Sequence, residues 1–174
     1  MEEKESAELK QTDQINALRS GNKSAILATL KALRNSGKVF LLTELFNLLA
    51  DQEDEDILAA ATSFLNDLKD QESVSLLIEA ISNPEYEDIK SILVASCWQN
   101  GLSYGKYIDI FLEVAIKGDY SSAIEAFTVI EEAIGEVEQE RRADLIIAVK
   151  HGLGGADDHK KALLRELIHV IERY

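Results

Sequence analysis

The chain of 174 residues carries 32 acids against 18 bases, a net charge of −14, and is 46% hydrophobic and 6% aromatic. That length suffices for one well-buried domain, and the charge repels phosphate backbones and anionic lipid, so neither nucleic acid nor a membrane is an expected partner. A single Pro and the near absence of alternating apolar runs predict an all-helical chain. Cys97 is the one cysteine, so no internal disulfide is expected. The opening MEEKESAELK lacks a basic start followed by an apolar core, and no apolar run approaches a membrane span. The expected location is the cytoplasm.

Residues 1 to 8 are charged and read as frayed, while Leu9 to Leu18 form a short amphipathic segment, giving an N-terminal tail and capping helix over 1–21. About four helix pairs then fill 22–152. The first spans 23–35 and 38–50 and turns at Asn35-Ser36-Gly37, where Gly supplies the left-handed conformation that ends a helix. Its second helix, VFLLTELFNLL, is apolar nearly all round and is expected to be sandwiched. The run DQEDED over 51–56 reads as a turn whose acids stabilise the N-terminus of the helix at Ile57. A cation site is the alternative, but the Gly and alternating spacing of a calcium loop are missing. The second pair covers 55–69 and 72–82, the third 87–100 and 104–117, and the fourth 120–135 and 138–152.

At the turn of the fourth pair, Glu131, Glu132, Glu136, Glu138 and Glu140 make a negative corner that suits a basic partner segment or is simply solvated; Arg141 and Arg142 partly neutralise it. The loop HGLGGADDH over 151–159 follows a helix rather than a strand and has no Lys-Ser/Thr pair, so it is not a phosphate loop. Its His151, Asp157, Asp158 and His159 match no standard metal spacing. A C-terminal capping helix fills 157–174.

The helix pairs repeat. Ile57 is followed at +3, +4, +7 and +8 by Ala60, Ala61, Phe64 and Leu65, and Ile89 at the same offsets by Ile92, Leu93, Ser96 and Cys97. Ala123 and Lys160 head similar stripes, and Ile26 a looser one, so the anchors lie 31, 32, 34 and 37 residues apart. That period predicts a solenoid. The helix ending Leu-Leu-x-x-x-Ile over 76–81, the Asn83-Pro84 or Asp51 turn and the Ile-x-x-small-small run resemble HEAT repeats, especially the short bacterial variety, across roughly 22–174. The resemblance implies a right-handed α-α superhelix of antiparallel helix pairs. The basic residue that family often carries just after the anchor is present only as Lys90 and Lys161, with Leu27, Leu58 and Ile124 in the other copies. The stretch from Trp98 to Tyr104 nearly spells the opening of a tetratricopeptide repeat, but its Gly101-Leu102 order is inverted and no other copy shows it.

Counting about 100° per residue from Ile89 puts Trp98 opposite the core stripe, beside Val94 on an outward face. Tyr104, Tyr107 and Phe111 form an aromatic ridge in which Phe111 joins Ile108 and Leu112 in the core, while Tyr107 shares a flank with Ile110 and Val114 that reads as an exposed apolar patch. Cys97 holds a core position as an inert thiol. No nucleophile elbow and no His-Glu pair of metal-ligand type occurs, so no catalytic residue, metal or cofactor is expected. The expected function is a non-enzymatic protein-protein interaction module, an adaptor or regulatory subunit that steers a basic partner segment onto Glu79, Tyr107, Ile110, Glu113 and Val114, with Trp98 as an outer-face alternative. Alternatives are a homodimer through the apolar face of the C-terminal helix (Leu163, Leu164, Leu167, Ile168, Val170, Ile171), or, on the HEAT resemblance, a bilin-lyase-like enzyme.

Overall fold

Short polar side chains decide where the helices begin. Asn22 accepts a hydrogen bond from the Ala25 amide at 3.1 Å, Asp54 from Asp56 at 3.0 Å and Ile57 at 3.3 Å, Asp119 from Ser122 at 2.6 Å, and Asp157 from Lys160 at 2.9 Å. Each satisfies amides that the first helical turn leaves unpaired. The acidic run at 51–56 is thus a cap and first turn, and Lys23 pairs with both Asp54 and Asp56.

The computed structural model describes residues 2–33 and 39–174, with side chains from Leu9 onward. All regular structure among them is helical: α1 Glu2–Arg19, α2 Lys23–Leu33, α3 Leu42–Asp51, α4 Glu55–Asn66, α5 Ser73–Ser82, α6 Lys90–Asn100, α7 Ile108–Lys117, α8 Tyr120–Ala133, α9 Gln139–Gly152 and α10 Asp158–Glu172. The turn expected at Asn35-Ser36-Gly37 lies outside the described residues. Helix α1 begins at Glu2 rather than Leu9, and Leu9 is 62% exposed. Helix α3 is less enclosed than its composition suggests: Leu42, Leu45, Phe46 and Leu49 are buried, whereas Asn47 and Asp51 face solvent. Several helices are entered through 3-10 turns, notably Pro84–Ile89 before α6 and Gly105–Tyr107 before α7. Helix α6 ends at Gly101, whose φ of 69° is the left-handed conformation that a side chain would oppose.

The helices pack in two rows. In one, α2 lies on α4, α4 on α6, α6 on α8 and α8 on α10; in the other, α1 lies on α3, α3 on α5 and α7 on α9. One continuous core runs between the rows, from Leu18 and Ile26 through Phe64, Leu77, Leu93 and Phe111 to Leu164 and Ile171. Lys160 also belongs to it, 9% exposed, its amine donating to the Gly118 carbonyl. A ladder of polar contacts links residues 31 to 33 positions apart, the step of the closest anchors. The Asn66 amide donates to Gln99 at 2.7 Å, Lys69 to the Asn100 carbonyl at 2.9 Å, Gln71 to the Ser103 carbonyl at 2.9 Å, and the Ser103 hydroxyl to Glu136 at 2.7 Å. Arg141 to Asp109 and Arg142 to the Tyr174 carbonyl continue it. Lys90 and Lys161 are not its rungs, because they pair within their own turns with Glu87 and Asp158.

Candidate functional site

The sequence of α7 divides the helix into two faces. Ile108, Phe111, Leu112 and Ala115 turn into the core, and Tyr104 packs edge-on against Phe111 with ring centroids 5.7 Å apart. Ile110, Glu113 and Lys117, at i, i+3 and i+7, line the other face. Opposite them stands the C-terminal end of α5. Among the described residues the second row packs less closely here, and a groove of about 270 Å³ opens between α5 and α7. The buried Ile81 and Val114 form its floor, and Ile110, Ser82, Glu87, Lys90 and Gly118 also line it.

Charge around the groove is arranged in pairs. Lys117 donates to Glu113 at 2.7 Å, and Lys90 to Glu87. The Lys117 hydrogen bond and charge, with a smaller contribution from Lys90, hold the Glu113 carboxyl below the usual carboxylate range. Asp119, just past the groove, is also held low, chiefly by the Ser122 amide and hydroxyl and then by the charges of Lys160 and Lys90. Gly118 fits only as glycine, since a Cβ there would lie 2.6 Å from the Val114 carbonyl oxygen.

The five residues expected on one surface, with Trp98 as their outer-face alternative, are divided by the fold. Ile110, Glu113 and Val114 meet in the groove. Tyr107, half-buried, stands one turn before Ile110, and Glu79 is exposed on α5 outside the lining. Two expectations are corrected. Val114 is 7% exposed, so it floors the groove from within the core and does not belong to an exposed patch. Val94 is fully buried, and Trp98 beside it is half-buried on the other row, its indole N–H donating to Glu125 of α8 at 2.8 Å. The cause is that Ile89 is not part of an α-helix. It closes the 3-10 turn with φ −107° and ψ 6°, so an angular count started there loses phase. In addition α6 is covered by α4, α5 and α8 and has little outward face.

Sequence reasoning passed over Ile81, Ser82, Lys117 and Gly118, and noted Lys90 only as the residue after an anchor. The Glu113–Lys117 pair at i, i+4 was a readable signal. Elsewhere, burial pushes the Cys97 thiol up to about 12, consistent with its core position. In the 151–159 loop, Asp157 caps α10, Asp158 faces Lys161, and His159 packs against the Tyr120 ring with centroids 6.2 Å apart. Among the described residues no three His, Cys, Asp or Glu side chains converge as metal ligands, and no helix is long and apolar enough to cross a membrane. The apolar side chains of α10 are largely used within the chain, with Leu164, Leu167, Ile168, Val170 and Ile171 buried and Leu163 half-buried. No protein-family model, curated protein or solved structure matches the chain.

Proposed function

We propose that the protein is a binding module, an adaptor or regulatory subunit, built as a HEAT-like solenoid of helix pairs and engaging a partner protein through the α5–α7 groove. The observation that carries this reading is the groove itself: an apolar floor of Ile81 and Val114 flanked by Ile110 and by the exposed carboxylates of Glu87 and Glu113 with their partners Lys90 and Lys117, at the place where two helices of one row part. The row order of the helices and the ladder with a step of 31 to 33 residues support the repeat architecture. A net charge of −14 favours a basic segment, because long-range attraction speeds encounter while apolar anchors set the lifetime of the complex.

Ile110→Arg tests the reading by filling the groove mouth with a like charge for such a partner. Wild type and variant, immobilised in parallel, are exposed to native lysate at low and high salt. The expected result is a basic protein retained by the wild type at low salt, released at high salt and absent from the variant, with the thermal midpoint of the two proteins within a few degrees. Equal retention by the variant contradicts the groove. Recovery of the chain alone instead supports self-association as the function.

A further inference from the structure

A second groove, of about 280 Å³, lies between the end of α1 and the outer flank of α3. Its floor is apolar, made by the buried Leu18 and Ile26 and the half-buried Leu48; Glu44, Asn47 and Asp51 edge it. Arg19 lies across one side and holds Glu44 with two N–H donors, the Nε bond measuring 2.7 Å. That pair neutralises itself, whereas none of the ion pairs of the described residues engages Asp51 or the neighbouring Glu85. Tyr86, which donates to Asn47 at 2.7 Å, senses the remaining charge. Burial first, and then Glu85, Glu44 and Asp51, raise its hydroxyl above the ordinary tyrosine value. The Pro84–Ile89 turn that carries Tyr86 also supplies Glu87 to the α5–α7 groove, so the Tyr86–Asn47 hydrogen bond ties an edge residue of the second groove to a turn that lines the first.

We infer that this second groove receives an arginine side chain of the partner segment, a deepening that rests on the adaptor reading above. An arginine has an apolar stem and a charged fork, and the groove offers an apolar floor and, in Asp51, a carboxylate that none of the ion pairs of the described residues engages. The grip of Arg19 on Glu44 is an example of the same chemistry within the chain. A purely aliphatic side chain would leave Asp51 without a counter-charge, and an acidic one would be repelled.

The test uses the full chain, labelled for amide NMR and titrated with N-acetyl-arginine methylamide and, separately, with its uncharged citrulline counterpart. Saturable shifts are expected at Gly21, Asn47, Leu48, Asp51 and Gln52 with the arginine compound only, weakened several-fold in Asp51→Asn and by added salt. An equal response to citrulline, shifts spread evenly over the acidic surface, or an unchanged Asp51→Asn titration would each overturn the assignment. The Ile110→Arg protein separates this inference from the one beneath it. It should bind the arginine compound as the wild type does while losing the partner, so either result can fail without the other.

Discussion

The two rows of helices pack differently between α5 and α8. In one row α6 and α8 pack closely: Leu93, Val94 and Cys97 on the first and Ala126, Val129 and Ile130 on the second have almost no exposure, and Trp98 joins the two helices through Glu125. In the other row α5 and α7, the second helices of the second and third pairs, stand apart around a groove. Small buried residues suit the closed side, since Ser96 on α6 and Ala123 and Ala126 on α8 let helices approach. On the open side, Glu79 and Glu113 are exposed and a six-residue 3-10 turn lies beside the helix ends. Packing is thus continuous along one row, whereas α7 in the other has one face in the core and one on the groove.

Adjacent residues of α7 should reveal this division most sharply. Phe111→Ala, on the face of α7 turned into the core, should cost about 3–5 kcal/mol in urea denaturation. Ile110→Ser, one residue away on the groove, should cost only about 1 kcal/mol because part of its surface is already exposed. Comparable losses would mean that the groove is core. At the α7–α8 corner, Lys160→Met removes the donor to the Gly118 carbonyl and should cost about 1–3 kcal/mol. Gly118→Ala should cost a similar amount, about 1–3 kcal/mol, by overpacking against the Val114 carbonyl.

A smaller effect is expected at the cap of α8. Asp119→Ala should lose about 1 kcal/mol near neutral pH. Because the folded protein holds the Asp119 carboxyl low, its contribution is complete above the unfolded value of about 3.9 and disappears as pH falls through the lower folded value. The stability difference between wild type and variant should therefore shrink in acid, and carboxyl NMR should place the Asp119 midpoint below that of a free aspartate. The smallest effect belongs to Cys97. A thiol pushed up to about 12 and buried should leave the native protein unreactive to disulfide reagents at pH 8, with labelling limited by unfolding.

Much of the helical pattern is legible in the sequence because it depends on local chemistry: apolar periodicity along each helix and short polar caps at Asp54, Asp119 and Asp157. Even Lys160, charged yet placed at a core anchor of the stripe, is buried as its position requires, because its stem packs and its amine finds Gly118. The surfaces are less legible. Whether Val114 or Ile110 faces solvent depends on how far α5 stands from α7, and no periodicity within either helix encodes that distance. Trp98 illustrates the same limit from the closed side, where a neighbouring helix covers what a single helical wheel leaves bare.

The most direct test of the account places a photoactivated benzoyl-phenylalanine at position 110 in the groove or at position 124 on the exposed flank of α8, and irradiates each protein in native lysate. The account predicts that position 110 crosslinks to a basic protein in a salt-sensitive manner while position 124 does not. Crosslinks from 124 alone, or from both positions only to further copies of the chain, would contradict it.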